Sequence, residues 1–172
     1  GPLARMSAAM AHRGPDGNGQ YREDDIGLVQ TRLAIIDLKG GDQPILGPVL
    51  NGDNKTSAAI VANGEIYNYL ELRRQFPNYS FQTKGDAETL LPLATRYKDD
   101  FVHHLNGMYA LALYDKEPHQ LTLVRDRLGV KPLYWAKIPY GGVVFASEIK
   151  ALLATGLIKA SINENAVSEY LS

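Results

Sequence analysis

Five residues carry the polar chemistry this sequence offers at the ends of its apolar runs: Arg32, Asn63, Gly64, Glu65 and Asp86. Together they supply one cation, two anions, and an amide side chain beside a bare backbone N–H. A free amino acid with a side-chain carbonyl requires that set: a guanidinium for its α-carboxylate, acids for its α-ammonium, and two donors for charge developing on the carbonyl oxygen. Singly, each residue also has an ordinary structural use. Asn63-Gly64 reads as a tight turn after the strand-like "AAIVA". On pattern alone Arg32, inside "VQTRLAII", belongs on a solvated face. Glu65 suits the first turn of a helix, and Asp86 suits the N-cap of the helix that follows it.

Composition narrows the partners. The chain has 172 residues, enough for one domain with a proper core, and 18 basic against 19 acidic residues give it no field to draw nucleic acid or an anionic membrane. No apolar stretch approaches the roughly 20 residues of a membrane helix, and the first residues lack the features of a signal peptide. The expected location is the cytoplasm. There are no cysteines, which excludes disulfides, thiolate metal sites and thiol catalysis by this sequence. Phosphate-loop, G-x-G-x-x-G and G-x-S-x-G patterns are absent. The four histidines do not cluster in sequence as metal ligands do, so no metal site is expected.

The elements that must position these residues follow from periodicity. "PLARMSAAMA" reads as a short amphipathic helix ending at the glycine-rich "HRGPDGNG". Residues 26–38 form an apolar segment, and Asn51-Gly52 suggests a turn between two strands. Residues 58–62 read as a strand, 67–75 as a helix, 81–86 as extended, and 87–98 as a helix that Pro92 must kink or delay. After Gly107 come four short strands. Ser147 is placed to cap a helix to about Ala154, and Ser161 with Glu164 has capping-box spacing. Turns too short for crossover helices make neighbouring strands antiparallel. "MYALALY" and "VVFA" are apolar at consecutive positions and so should be covered on both faces. Two packed antiparallel sheets with helices outside, an α+β layered sandwich, satisfies both conditions.

Taken in order, "HRGPDG" (12–17), "RLAIIDL" (32–38) with "DQP", "NGEIYN" (63–68), "GDAE" (85–88), "NGMYALALYD" (106–115), "RDRLGVKPLYW" (125–135) and "SEIKAL" (147–152) resemble the glutamine amidotransferase domain of glutamine-hydrolysing asparagine synthetases. The resemblance covers nearly the whole chain. It implies a four-layer αββα sandwich of the N-terminal nucleophile hydrolase type, with residues 1–160 as the amidotransferase domain and 161–172 as the start of a connection to a synthetase domain. It further implies that Arg32 holds the glutamine carboxylate, that Glu65 and Asp86 receive its ammonium group, and that Asn63 and Gly64 form the oxyanion hole. His12, Arg13 and Asp16 are read as loop scaffolding. The arginines and aspartate of "RDRLG" are read as ion-pair bracing or as a contact with the synthetase domain. Implied partners are glutamine, the synthetase domain of the same polypeptide and, left open, a second copy in a homodimer. No cofactor is expected in this domain; ATP and Mg would belong to the synthetase domain.

Departures from the family pattern matter equally. The family's nucleophile is an N-terminal cysteine on a strand that precedes the first helix, with its own α-amine as base, and this sequence contains neither cysteine nor strand before residue 12. Neither Gly1 nor Ser7 replaces it. The expectation is a fragment trimmed at both ends, lacking the first strand, unstable along the edge so exposed, and inactive by itself. Gln30 and Gly85 stand where relatives often have histidine and serine. Two alternatives stay open: a domain that has lost its nucleophile and serves as a binding or scaffolding module, and the glutaminase half of another class II amidotransferase.

Overall fold

The computed structural model describes residues 1–32, 42–51, 54–139 and 141–171. In chain order the elements are helix α1 (Pro2–Met10), a 3₁₀ turn (Ala11–Arg13), strands β1 (Gly17–Glu23), β2 (Ile26–Arg32), β3 (Ile45–Asn51) and β4 (Asn54–Ile66), and helix α2 (Tyr69–Arg74). A 3₁₀ turn (Ala87–Thr89) then leads into α3 (Leu90–Tyr97) and a 3₁₀ segment (Lys98–His104). Strands β5 (Gly107–Asp115), β6 (Gln120–Arg125), β7 (Tyr134–Lys137) and β8 (Val143–Ala146) follow, with helices α4 (Ile149–Ala154) and α5 (Glu164–Leu171).

One sheet runs β3-β4-β5-β6, and two ribbons, β1-β2 and β7-β8, lie apart from it; every pairing is antiparallel. Period-two alternation sorts β4 and β5 onto two cores. Ala58, Ile60, Tyr109, Leu111 and Leu113 pack with α2 and α3 through Leu72, Leu90, Leu91 and Leu93. Ala59, Ala112 and Tyr114 turn the other way, against Leu28 of β2, with Tyr21 and Phe145 alongside. Helix α1 packs on β2 and α4, closing the far side. The order is therefore helix, sheet, ribbons, helix: the αββα sandwich. β5 is buried from Tyr109 through Tyr114, as a strand covered on both faces must be.

Local expectations fare unevenly. Pro92 is the third residue of α3, among N–H positions that have no intrahelical acceptor, so the helix simply starts late. Residues 81–86 are irregular rather than extended. Helix α4 is capped at Glu148, not Ser147, and without a side-chain cap bond. At α5 it is Asn163, not Ser161, whose Oδ1 accepts the Ala166 N–H at 3.2 Å. The strand pairing Asn51↔Asn54 closes the β3–β4 hairpin, while Gly52 of the expected turn lies outside the described residues, as do 33–38 of the apolar segment. Val143 departs from the covered pattern of "VVFA": it is 42% exposed, where β8 borders a cavity.

The "RDRLG" segment braces the sheet by backbone capping and makes no ion pair among the described residues. The buried Asp126 carboxylate accepts N–H groups from Leu128 (3.1 Å), Val130 (2.9 Å), Lys131 (3.0 Å) and Tyr109 (3.3 Å), while Arg125 donates to the carbonyls of Gly129 (2.7 Å) and Lys131 (2.8 Å). Burial alone would raise the Asp126 pKa, but these donors outweigh it and hold it below the usual carboxylate value. Glu148 gathers Arg13 (3.1 Å), Lys150 (3.1 Å) and the His12 ring (3.0 Å), fastening the "HRG" turn to α4. Desolvation opposes its charge, yet hydrogen bonds from these three hold its pKa down to about 2.

Asp126→Ala would strand four N–H groups and should cost about 3 kcal/mol in urea denaturation, whereas the exposed Arg127→Ala should change stability by less than about 0.5 kcal/mol. Both carboxylates have depressed folded pKa values, so their contribution is complete above the ordinary carboxylate range and disappears as pH falls through the folded values. The urea midpoint should therefore drop between pH 5 and pH 2.5. Glu148→Gln should flatten that limb; an unchanged limb would exclude the Glu148 cluster as its source.

Candidate active site

Strand β3 stops pairing with β4 at Ile45↔Ile60, so beyond Ile60 the outer edge of β4 must find other hydrogen-bond partners. Side chains supply them. Gln43 Oε1 accepts the Ala62 N–H at 2.6 Å, Gln30 Nε2 donates to the Ala62 carbonyl at 2.9 Å, and Asp86 Oδ2 accepts the Ile66 N–H at 2.6 Å. By the two-residue alternation the Gly64 N–H lies on this same edge, and no side chain among the described residues takes it.

Asn63-Gly64 is not a turn, contrary to the local signal. β4 runs through it, pairing Asn63↔Ala110, Gly64↔Tyr109 and Glu65↔Met108 with β5. Gly64 has φ +133°, and a Cβ there would sit 1.9 Å from the Met108 carbonyl oxygen. The glycine serves two needs at once: a backbone conformation that side chains resist and a close approach of β5.

The odd face of β4 looks into a cavity of about 590 Å³. Its walls are β2 and β8, its floor β4 and β5, where Ala110 and Ala112 present only methyl groups, and its roof α1. β2 and β8 each have one hydrogen-bonded neighbour among the described residues, so the cavity is a slot between two strand edges. Arg32, Asn63, Gly64, Glu65 and Asp86 all line it. They come from three separate stretches of chain.

Arg32, the last residue of β2, is not on a solvated face: its side chain is 13% exposed and bonds the exposed Asp42 carboxylate at 2.8 Å. A Cβ on Gly14 would fall 2.4 Å from the Arg32 backbone nitrogen, so the "HRGPDG" turn packs directly on this position, and Asp16 N–H donates to the Arg32 carbonyl at 3.0 Å. Glu65 lies on the strand rather than in a helical turn. Asp86 occupies the N-cap position ahead of Ala87 but makes no side-chain cap bond, because its carboxylate is turned to β4. The Asn63 Nδ2 is buried without a hydrogen-bond partner among the described residues.

Residues 81–86, which bring Asp86 to the cavity, are held from beneath. Buried Glu88 accepts the N–H groups of Gln82 (2.7 Å) and Thr83 (2.6 Å) and the Thr83 hydroxyl (2.8 Å). Arg73 of α2 donates to the carbonyls of Thr83 and Gly85, both at 2.7 Å, and lies over the Phe81 ring. Sequence reading assigned no role to Gln30, Gln43, Arg73 or Glu88. Only Glu88, an acid at consecutive buried positions, carried a local signal.

The arrangement offers a cation and two carboxylates around a cavity also lined by Asn63, whose buried amide donor is unpartnered among the described residues, and by Gly64, whose N–H no described side chain takes. That is complementary to a zwitterion with a side-chain carbonyl.

A family model described as glutamine amidotransferase domain matches residues 1–172. Among curated proteins, the glutamine-hydrolysing asparagine synthetase 1 of Bacillus subtilis (strain 168) is 37% identical over 172 residues, which are 99% of this chain and 26% of that protein. The glutamine-hydrolysing asparagine synthetase B of Escherichia coli (strain K12) is 37% identical over 167 residues, 96% of this chain and 28% of that protein. The chain thus spans about a quarter of the length of these relatives. Among solved structures, an allosteric regulatory enzyme of purine biosynthesis aligns at TM-score 0.61 and 26% identity over 76% of this chain and 29% of its own. The glutamine phosphoribosylpyrophosphate amidotransferase of B. subtilis aligns at TM-score 0.55 and 26% identity over 66% and 26%.

Gly64→Ala must displace β5 as well as strain the backbone, and should cost at least about 3 kcal/mol in chemical denaturation. At Gly85 a Cβ would meet only the Thr83 hydroxyl at 3.7 Å, so Gly85→Ala should stay within about 0.5 kcal/mol. Equal effects of the two would contradict the close approach at Gly64.

Proposed function

This chain belongs to the glutamine amidotransferase domain family, and from that premise we propose that it is the glutaminase part of an asparagine synthetase, binding glutamine in the slot between β2 and β8. The reading rests on one observation: the five polar residues singled out in the sequence line a single cavity.

In this reading Arg32 holds the α-carboxylate at the cavity it lines, beside its bond to Asp42. Glu65 and Asp86 receive the α-ammonium group; Asp86 keeps further acceptor capacity beyond the Ile66 N–H. The carboxamide oxygen lies against Asn63 Nδ2 and the Gly64 N–H, which stabilise the oxyanion formed when a nucleophile adds to the carbon. Collapse of that intermediate breaks the C–N bond and releases ammonia. With no cysteine in the sequence, the attacking thiolate must come from outside these residues, and the chain alone should not turn glutamine over. In this reading an extended segment carrying that thiolate would lie in the cavity, beside the β2 and β8 edges that have no partner strand among the described residues. The ammonia would then serve the ATP-dependent amidation of aspartate in a synthetase domain, to which ATP and Mg²⁺ would also belong. The described residues contain no group of three or more His, Cys, Asp or Glu side chains that could hold a metal ion.

A non-catalytic binding module is the competing reading, and the missing cysteine is what favours it. Calorimetric titration of the chain with L-glutamine should show binding, and Arg32→Ala should weaken it at least about tenfold. In the complete protein that contains this sequence, glutamate release should be measurable, and Asn63→Ala should lower kcat roughly 100-fold or more with KM little changed. Binding without glutamate release from the complete protein would select the module. No glutamine binding at all would remove both.

A further inference from the structure

Arg73 of α2 does not line the cavity, yet Thr83, Gly85 and Asp86, which do, belong to the turn it holds. Its side chain is 19% exposed, and a single nitrogen, Nη2, donates to the carbonyls of Thr83 and Gly85, each at 2.7 Å. The guanidinium carbon lies 4.2 Å from the centroid of the Phe81 ring. Glu88 Oε2, which accepts the Thr83 N–H and hydroxyl, is 3.9 Å from the same Nη2. The Arg73 Nε is buried without a partner among the described residues, so the guanidinium keeps the position that reaches both carbonyls although one of its own donors goes unsatisfied. The Gly85 carbonyl belongs to the peptide that leads into Asp86, whose Oδ2 is tied to the Ile66 N–H at 2.6 Å. Two bonds therefore set where the remaining Asp86 oxygen, Oδ1, points: one to β4 on the side chain and one to Arg73 on the preceding peptide.

We infer that Arg73 is a positioning residue for recognition of the substrate's α-ammonium group: through the Gly85 carbonyl it fixes the direction in which Asp86 offers Oδ1. The inference rests on the glutamine reading above and goes beyond it by giving control of one ligand contact to a residue outside the cavity. The bonds of Arg73 go to the turn that carries Asp86, so its loss should disturb the ammonium contact and leave the carboxylate and carboxamide ends of the ligand as they were. Lysine is no equivalent here, because one guanidinium spans two carbonyls while lying flat on an aromatic ring, and an ammonium cannot do both.

The test compares L-glutamine with glutaramic acid, which keeps a carboxylate and the carboxamide but carries hydrogen where glutamine has its ammonium group. Neither should be turned over by this chain, so equilibrium titration reads binding alone. Wild type should prefer glutamine by roughly tenfold or more, the size of a charge-assisted contact. Arg73→Met keeps a stem against Phe81 and removes the donors; it should cut that preference at least about threefold, through weaker glutamine binding with glutaramic acid unchanged. Arg73→Lys should fall between the two, and it carries the test if thermal melts show that Arg73→Met does not fold. Asp86→Asn supplies the control, since its amide oxygen can keep the Ile66 N–H while its –NH₂ replaces Oδ1. In that background Arg73→Met should change the preference by less than about 1.5-fold, as expected of a residue that acts through Asp86. A folded Arg73 variant that weakens both ligands alike, that keeps the wild-type preference, or that acts as strongly beside Asp86→Asn overturns the inference and leaves the glutamine reading intact. Equal binding of the two ligands by wild type removes the ammonium contact and the inference with it. If wild type binds neither, the glutamine reading falls as well.

Discussion

The structure turns on the open edge of β4. Backbone N–H and C=O groups must be hydrogen-bonded wherever water is excluded, and a strand loses half of its partners when its neighbour ends. β3 ends its pairing at Ile60, while β4 continues six residues further to Ile66 along β5. Each exposed group beyond that point calls for a side chain from elsewhere. Gln30 comes from β2, Gln43 from the segment before β3, and Asp86 from the turn before α3. One backbone requirement therefore gathers three remote stretches of chain around the same few residues. The cavity's polar wall is a consequence of that convergence.

A wall built this way is only as well placed as the strand beneath it. β4 is fixed from the other side by β5, and β5 at Tyr109 is fixed by Asp126, whose carboxylate accepts the Tyr109 N–H opposite Gly64. The "RDRLG" knuckle thus acts on the site without touching it. Glu88 and Arg73 do the same for the turn that carries Asp86. The polar residues at the cavity are held to strands and to a braced turn, as positioning to a fraction of an ångström demands.

How much of this was legible in the sequence depended on whether the cause was local. The four strands after Gly107 and the double-sided burial of β5 follow from turn residues and apolar runs, and both are read correctly. The Asn63-Gly64 pair shows where local reasoning reaches its limit. Positive φ is what the dipeptide signals, but a hairpin turn and a strand crossing closely over its neighbour ask for it equally, and only the presence of β5 decides between them. Asp86 is similar: the N-cap position was right, but its carboxylate accepts a backbone N–H twenty residues earlier, that of Ile66, in place of one in its own helix. Gln30 drew notice only as a departure from the family pattern and Gln43 only as part of "DQP"; their bracing role had no signal, since their partner is the main-chain peptide of Ala62, and every residue type carries such a peptide. Arg32 was misplaced on a solvated face because a period-two pattern cannot show that a glycine-rich turn, closing at Gly14, would cover the end of its strand.

Burying polar atoms without partners is unfavourable by about 1–3 kcal/mol each, so a fold tends to keep them only where its scaffold leaves no way to relax. Asn63 sits between a glycine that cannot accept a side chain and a residue clasped by two glutamines, so its backbone is fixed on both sides. Gln30 has already committed one end of its amide to β4. The same bonds that satisfy the edge of the strand therefore leave a buried donor and a buried acceptor, Asn63 Nδ2 and Gln30 Oε1, without partners among the described residues. Preorganisation here arises from strand termination: had β3 continued alongside β4 to Ile66, the backbone would have been satisfied by backbone, and neither glutamine, nor Asp86, nor the Gly64 N–H would face the cavity.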